Sequence, residues 1–197
     1  MDLRTVIFYG KAGAGKGTQA RLLKEVLEKR DAEHPVLYVE TGAMFRDFAK
    51  QSNFTAQMVK KVLTEGGLLP EFLPVWVWTD IFVKYVTESE HIILDGLARN
   101  SDEVPVLARA LEFYKRPSVD VVVIKVSEEE TLRRLKERAR GDDTEAEIRK
   151  RLAWYEANVS PAIERWKQFP QMRVHEVDAG GTIEEGHARV LAALDLS

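Results

Sequence analysis

The chain reads Gly10-Lys11-Ala12-Gly13-Ala14-Gly15-Lys16-Gly17-Thr18 directly after a short apolar run, Thr5–Tyr9. A segment with helical periodicity, Gln19–Arg30, follows it. A strand, a glycine-rich loop, a lysine and a helix in this order are typical of a phosphate-binding P-loop. Glycine lets backbone N–H groups approach phosphate oxygens, and the N-terminus of the helix adds the positive end of a dipole. The pattern therefore predicts a phosphate site rather than a glycine-rich turn that binds nothing.

One position departs from the general P-loop. That pattern has Ser or Thr directly after the lysine, where the hydroxyl ligates magnesium. Here Gly17 follows Lys16, and the hydroxyl comes one residue later, at Thr18. The loop by itself leaves this difference unexplained.

The composition restricts the class of protein. With 197 residues, 45% of them hydrophobic and 31% charged, the chain suits one large globular domain or a core with small insertions. A net charge of −3 indicates no general attraction to nucleic acid or membrane. The absence of cysteine excludes disulfides and Cys-bound zinc, and the most apolar window, Phe72–Trp78, is far shorter than the ~20 residues of a membrane span. We expect a cytoplasmic monomer that has neither membrane nor nucleic-acid partners and binds no zinc.

Strand-like runs alternate with helical segments along the chain. Several are nearly continuous apolar runs, as expected for a parallel sheet that is covered on both faces. The alternation predicts an α/β fold with a five-stranded parallel sheet and helices on either side. Two capping-box patterns, Ser127–Glu130 and Thr182–Glu185, mark helix starts. The five runs are Thr5–Tyr9, Val36–Val39, His91–Leu94, Asp120–Val126 and Met172–Val177.

A long stretch separates the second and third strands. It predicts three helices, near Gly42–Lys50, Phe54–Glu65 and Leu73–Thr87, with a break at Gly66-Gly67. We interpret residues 41–70 as an inserted helical subdomain, and residues 1–40 with 71–197 as the core. Four aromatic residues of the third helix are predicted to pack on the sheet, with base stacking as the alternative: Trp76, Trp78, Phe82 and Tyr85.

Six arginines lie between positions 133 and 151. Arg133 and Arg149 are interleaved with glutamates and fit a solvated helical face. The string Arg138-Ala139-Arg140-Gly141-Asp142-Asp143 differs, because it places two arginines at a helix end beside a glycine and an acidic pair. It predicts a very short lid, residues 138–142, that folds over phosphates.

In this order, the motifs resemble those of the adenylate kinases, within the nucleoside monophosphate kinase family, over nearly the whole chain. The P-loop resembles the family's ATP loop, including its Gly-Lys-Gly-Thr ending, so the position of Gly17 is normal there. The further matching stretches are Thr41–Arg46 (family Thr-Gly-Asp-x-x-Arg), Gly66–Pro70, Leu94–Arg99 (family Leu-Asp-Gly-Phe-Pro-Arg), the arginines 134, 138, 140 and 151, and Val177–Gly181.

The resemblance implies a P-loop NTPase fold and transfer of the γ-phosphoryl group of ATP·Mg²⁺ to a nucleoside monophosphate, with AMP favoured. The residues implied to bind ATP are Gly13, Ala14, Gly15, Lys16, Gly17, Thr18, Arg134, Arg138 and Gly181. Those implied to bind the monophosphate, within residues 41–70 and beyond, are Thr41, Gly42, Arg46, Gly67, Leu69, Gly96, Arg99, Glu103, Arg140 and Arg151. Those implied to be catalytic are Lys16, Arg99, Arg138, Arg140 and Arg151.

Two residues in the matching stretches, Thr41 and Asp95, have plainer alternatives to a role at the site. Thr41 could merely cap the helix that follows it. Asp95 closes an apolar strand, where it could cap a turn; a carboxylate beside a P-loop is also where a magnesium partner lies in P-loop enzymes. We expect Asp95 to act on Mg²⁺ through a water molecule.

The sequence leaves the acceptor base open, because the chain departs from the family at Glu103. The family has a glutamine there, whose amide accepts from the 6-amino group of adenine and donates to N1. An ionised carboxylate only accepts, which suits guanine, or the single amine of cytosine, better than adenine. GMP, CMP or UMP are therefore alternative acceptors, unless Glu103 points to solvent. A P-loop regulator without turnover is the remaining alternative, which the arginines at both sites disfavour.

Overall fold

The computed structural model describes residues 2–65, 67, 69–138 and 145–197, without the side chains of 136, 138, 145 and 147. Strands and helices alternate along it. The strands are β1 Thr5–Gly10, β2 Val36–Glu40, β3 His91–Asp95, β4 Val119–Lys125 and β5 Met172–Asp178. The helices are α1 Lys16–Arg30, α2 Thr41–Phe48, α3 Phe54–Thr64, α4 Phe72–Tyr85, α5 Glu103–Phe113, α6 Glu128–Arg138, α7 Glu145–Trp154, α8 Ser160–Trp166 and α9 Ile183–Ala193, with a π-helical turn at Tyr155–Val159.

The strands form one parallel sheet in the order β2-β3-β1-β4-β5. Every residue of β1 and β3 is buried, which explains their nearly continuous apolar sequences. The predicted five-stranded parallel sheet is confirmed, and its five strands lie within two residues of the predicted positions.

Helices cover both faces of the sheet, because successive side chains of a strand point to opposite sides. Ile7 and Tyr9 of β1 belong to a core that includes α4, α5 and α8. Val6 and Phe8 belong to a second core, which α1 and α9 complete. The result is the three-layer α/β fold of P-loop NTPases.

The connections place a crevice at the carboxyl ends of β1 and β3. After β1, the chain continues through α1 to β2, on the far side of β3. After β3, it crosses over β1 to β4 on the opposite side. In parallel α/β sheets, such a reversal opens a space at the strand ends in which ligands bind.

The local predictions differ in outcome. Thr182 forms the predicted capping box with Glu185. The Ser127 hydroxyl accepts from the Glu130 N–H at 3.1 Å, as predicted, whereas the Glu130 carboxylate pairs with Arg133 and Arg134. Arg133 is exposed on the helical face, as predicted, and it also pairs with Glu137 at 2.5 Å.

The aromatic cluster of α4 is divided between core and surface. Trp78 and Phe82 are buried and pack edge to face, as predicted. For Trp76 and Tyr85 the prediction of packing on the sheet is wrong: they are 48% and 61% exposed. The reason is helical geometry, because side chains spread around a helix cannot all face one sheet.

Within the described part of the chain, no helix is long and apolar enough to cross a lipid bilayer.

Candidate active site

A cavity of about 1470 Å³ opens at the carboxyl ends of the strands. It brings both predicted halves of the site together. Its walls include all of residues 12–19 and these further predicted site residues: Thr41, Gly42, Arg46, Gly67, Leu69, Asp95, Gly96, Arg99, Glu103, Arg134, Arg151 and Gly181.

The P-loop depends on glycine at particular positions. Gly13 has a φ of +81°, and a Cβ added there would lie 2.8 Å from Leu135 Cγ of α6. Gly15, with a φ of +94°, is the left-handed residue from which α1 begins. L-residues rarely adopt this backbone conformation, so the glycines allow the loop to turn tightly into the helix. The loop thereby presents the N-terminus of α1 to the cavity.

Gly17 also has a tertiary reason to be glycine. A Cβ added at this position would lie 3.2 Å from Asp95 Oδ2, tighter than ordinary van der Waals contact. The missing side chain therefore lets the end of β3 approach the first turn of α1. A side chain at the position that departs from the general P-loop pattern would therefore crowd Asp95.

Lys16 lies across the mouth of the P-loop. Its ammonium group donates to the Gly10 carbonyl at 2.7 Å and to the Lys11 carbonyl at 3.0 Å. These bonds hold a positive charge beside the backbone N–H groups of the loop, where a phosphate chain would bind.

Asp95 is a buried carboxyl group facing this charge. The Tyr38 hydroxyl donates to it over a long 3.4 Å. Burial raises the pKa of Asp95, although the positive charges of Lys16 and Arg99 oppose the rise. The predicted metal partner thus lies beside the P-loop, in a setting where a bound cation would stabilise its ionised form.

Arg134 connects α6 with two loops. Its guanidinium donates to the Ala179 carbonyl at 3.1 Å and more weakly to that of Ala14 at 3.4 Å. Glu130 holds it from the previous turn, at 2.5 Å. Arg134 therefore lies between the P-loop and the loop that contains Gly181, on the predicted ATP side.

On the opposite side, the Gly96 carbonyl organises the predicted acceptor residues. It accepts from the Thr41 hydroxyl and from Arg99 Nε, both at 2.9 Å. Gly96 has a φ of +79°, and a Cβ there would collide with the Arg99 guanidinium. The Thr41 hydroxyl thus fixes the start of α2 to the end of β3, instead of capping its own helix.

Arg46 is held by a residue that the sequence reasoning missed. Its guanidinium donates to Glu40 at 3.0 Å, and Arg21 approaches the other oxygen of Glu40 at 3.7 Å. Glu40 ends β2 as Asp95 ends β3. Its position at the carboxyl end of a predicted strand was the signal that could have found it.

Glu103 begins α5 and is only 5% exposed, so the alternative in which it points to solvent is wrong. Asn100 Nδ2 donates to its Oε1 at 2.9 Å. Burial raises the pKa of Glu103 to about 7, although the Ala98 and Arg99 backbone N–H groups and the Arg99 charge lower it. A buried, titratable carboxyl group therefore faces the cavity.

The family model for adenylate kinase matches residues 8–171. The chain belongs to the adenylate kinase family. The chain is therefore a phosphotransferase.

Adenylate kinases similar to the chain come from distant bacteria. That of Thermus thermophilus is 32% identical over 204 residues, covering 100% of both chains. That of Mycobacterium ulcerans is 34% identical over 193 residues, covering 96% of this chain and 98% of the relative. That of a Synechococcus strain is 30% identical, covering 96% and 97%. The similarity extends over all the elements that surround the cavity.

In this member of the adenylate kinase family, a π-helical turn also lines the cavity. Tyr155 and Asn158 of this turn face the cavity, and its Glu156 pairs with Lys11 of the P-loop at 2.7 Å. Sequence reasoning missed this wall, because one extra residue in a helical turn leaves the apolar pattern almost unchanged. Such turns are common at functional sites.

Some predicted residues of the adenylate kinase site lie outside the described residues. These are Gly66 and Leu68 of the glycine turn, and the lid residues 139–142, which include Arg140. The side chain of Arg138 is likewise outside the description. Their roles remain predictions.

Proposed function

We propose that the protein transfers the γ-phosphoryl group of ATP·Mg²⁺ to AMP and produces two ADP. An AMP phosphate oxygen bonds to the γ-phosphorus, while the bond from that phosphorus to the β–γ bridging oxygen breaks and its electrons stay on ADP. One observation carries the proposal: a single cavity is lined both by the P-loop lysine, Lys16, and by three arginines predicted for the acceptor side, Arg46, Arg99 and Arg151. The likeness to proteins named adenylate kinase supports AMP as the acceptor.

The ATP half is assigned to the P-loop side. Backbone N–H groups of residues 13–18 and the α1 dipole bind the phosphates. Lys16 exchanges its carbonyl partners for the β- and γ-phosphates, to which it offers a full positive charge. Arg134 and Gly181 border the space that we assign to the adenine of ATP.

The acceptor half is assigned to residues of α2 and of the loop after β3. Arg46 and Arg99 bind the AMP phosphate, since a guanidinium can hold two phosphate oxygens at once. Arg46 leaves Glu40 to do so, exchanging a carboxylate for a phosphate. Thr41, Gly42, Gly67, Leu69, Gly96 and Glu103 line the remainder of this half.

Charge neutralisation during transfer is assigned to arginines. A phosphoryl transition state needs in-line positioning and stabilisation of charge on its equatorial oxygens, not a covalent nucleophile. Arg138, Arg140 and Arg151 are assigned to this task on their match to the family's arginines. The AMP phosphate is already ionised, so no strong general base is needed.

The oxygen donors around Asp95 fit Mg²⁺, a hard cation that prefers oxygen ligands. The Asp95 carboxylate lies beside the first turn of α1, close to where the phosphates would bind. Asp95 would hold the ion through a water molecule. Mg²⁺ bound with ATP neutralises charge on the β- and γ-phosphates.

We further propose residues 41–70 as the AMP-binding unit, residues 1–40 and 71–197 as the core, and residues 138–142 as the lid. A monomer fits this arrangement, because one chain contributes both halves of the cavity. The absence of cysteine fits the reducing cytoplasm, which we propose as its location. Zinc has no proposed role.

One assay tests the acceptor. The purified protein is incubated with ATP·Mg²⁺ and each of AMP, dAMP, GMP, CMP and UMP, and diphosphate formation is measured. We expect AMP to give the highest kcat/KM. A preference for GMP, CMP or UMP would overturn the assignment of AMP, and no diphosphate with any acceptor would overturn the reaction.

A further inference from the structure

Glu103 occupies a position from which it can contact the acceptor base. It is the first residue of α5, is almost fully buried, and lines the cavity near the charges of Arg99 and Glu71. A buried carboxyl group beside a ligand site either meets a cation, or accepts hydrogen bonds, or stays protonated. The protonation state of Glu103 therefore determines which base the site accepts.

The side-chain amide of Asn100 determines which oxygen of Glu103 accepts a hydrogen bond and which can carry a proton. Asn100 Oδ1 accepts from the backbone N–H groups of Asp102, at 3.0 Å, and Glu103, at 2.9 Å. Its Nδ2 must therefore be the group that donates to Glu103 Oε1 at 2.9 Å. With a donor already directed at it, Oε1 is an acceptor, and any proton on this carboxyl group is carried by Oε2.

We propose that Glu103 reads adenine as a neutral carboxylic acid: Oε2–H donates to N1, and Oε1 accepts from the 6-amino group while keeping its bond from Asn100. This inference rests on the proposed function. In this form the carboxyl group presents the same acceptor and donor as a glutamine amide, so the departure at position 103 still permits AMP.

The charges around Glu103 permit both protonation states. Burial opposes the ionised form most strongly, and the negative charge of Glu71, before α4, opposes it as well. The Arg99 charge and the backbone N–H groups of Arg99 and Ala98 favour the ionised form. Tyr9 of β1 stays neutral, since its hydroxyl donates to the Ala98 carbonyl at 2.7 Å and burial raises its pKa far above the usual range. The resulting Glu103 pKa of about 7 makes the neutral acid available at physiological pH.

The hydrogen-bonding groups of the nucleobase then determine which monophosphate fits Glu103. Adenine presents one acceptor, N1, beside one donor, the 6-amino group. A neutral acid matches this pair, whereas an ionised carboxylate would face the N1 lone pair without a proton between them. AMP binding should therefore weaken as pH rises through the pKa of Glu103, because the matching form disappears.

The test is the pH dependence of kcat/KM for AMP in the wild type and in Glu103→Gln, from pH 6.5 to 8.0 with saturating ATP·Mg²⁺. The phosphate of AMP titrates near pKa 6 with both proteins, so it cancels in their ratio. For a pKa of about 7, the neutral fraction falls about 8-fold over this range, and we expect the wild-type to Glu103→Gln ratio to fall by the same factor. Asp102→Asn, the exposed neighbour, should keep the wild-type pH dependence.

A ratio that is constant with pH would overturn the inference, while AMP turnover by both proteins would leave the proposed function standing. If neither protein phosphorylates AMP at any pH, the proposed function is wrong. The recognition of adenine by neutral Glu103 is then wrong as well.

A substrate analogue keeps the inference testable if Glu103→Gln does not fold. In 1-deaza-AMP a C–H group replaces N1, which removes the atom that would accept from Oε2. With the wild type, the kcat/KM ratio of AMP to 1-deaza-AMP should then fall about 8-fold from pH 6.5 to 8.0. The same ratio at both pH values would overturn the inference.

Discussion

The two ends of the sheet treat their buried carboxyl groups differently. At the amino ends of the strands, Glu90, Asp120 and Asp31 are surrounded by protein cations and hydrogen-bond donors. At the carboxyl ends, Asp95 and Glu103 lie in the cavity wall with raised pKa values. At the amino ends, the carboxyl groups stabilise the fold through contacts with protein groups. At the carboxyl ends, they line the cavity, where a ligand can contact them.

The partners at the amino end are close and numerous. Arg116 donates to the Glu90 carboxylate and, at 2.8 Å, to its backbone carbonyl. Asp120 accepts from Arg173 at 2.9 Å and lies 2.8 Å from His175. Hydrogen bonding from His34 is the main cause that lowers the pKa of Asp31.

The His91 ring next to Asp31 completes this network. Its Nδ1 accepts from the Arg4 backbone N–H at 2.9 Å, so in the neutral ring Nε2 carries the hydrogen that faces Asp31, 3.2 Å away. Asp31, His34 and His91 have the spacing of a metal site, but this tautomer directs N–H instead of a lone pair at the shared space. The cluster links the end of α1 to the start of β3.

The comparison predicts that cavity residues affect turnover and not stability. The largest effect is expected for Lys16→Met, which removes the positive charge at the phosphates. We expect kcat to fall by about 10³–10⁵-fold, the range known for removing a phosphate-stabilising cation, with a native far-UV circular dichroism spectrum. Lys24→Met, on the same helix but paired with Glu28 on the surface, serves as control and should keep its activity. Full turnover by Lys16→Met would remove the P-loop from the reaction.

At the opposite end of the sheet, Arg116→Ala should lower the stability of the fold and leave turnover unchanged. It leaves the Glu90 carboxylate buried without its cation, and loss of one partner of a buried pair costs about 3–5 kcal/mol. Urea denaturation measures the free energy of unfolding, while kcat below the transition should stay near that of the wild type. Arg109→Ala on the exposed side of α5 should change stability by less than about 0.5 kcal/mol. Equal stability of the two variants would contradict the role of the amino end.

A matched pair of aspartates separates the two ends most directly. Asp95→Asn should lower kcat by about 10–100-fold, the typical cost of losing an outer-shell metal partner. Because burial raises the pKa of Asp95, its ionised form costs stability at neutral pH, and the asparagine should be as stable as the wild type or more so. Asp120→Asn should show the reverse, with normal turnover and a stability loss of about 1–3 kcal/mol. A loss of stability in Asp95→Asn together with a loss of turnover in Asp120→Asn would refute the difference between the two ends of the sheet.

The smallest effect concerns stability and pH at Glu103. A folded pKa of about 7 lies above the unfolded value, so stability from protonated Glu103 is present below about pH 4.5 and is lost as pH rises through 7. Glutamine does not ionise, so the unfolding free energy of Glu103→Gln minus wild type should rise by about 2 kcal/mol from pH 5.5 to 8.0. Denaturant titrations at the two pH values measure it. A difference independent of pH would show that Glu103 titrates normally.

The sheet and most of the site could be predicted from local patterns. Nearly continuous apolar runs identified several of the strands, and the spacing of the glycines and Lys16 identified the P-loop. The strings around Arg46 and Arg99 were readable because their residues are neighbours in the chain. Glu40 and the π-helical turn were missed, because their roles come from contacts with Arg46 and Lys11, which the sequence does not pair.

By itself, then, the sequence determined the parallel sheet, the P-loop and the family, since these follow from periodicity and short motifs. Only the tertiary structure shows what a side chain at position 17 would crowd, through the approach of Asp95 to α1. It also decided the state of Glu103, because a carboxyl group has its ordinary acidity in water and changes it only when the fold buries it. Burial and close approach join distant parts of the chain, and no local pattern encodes them.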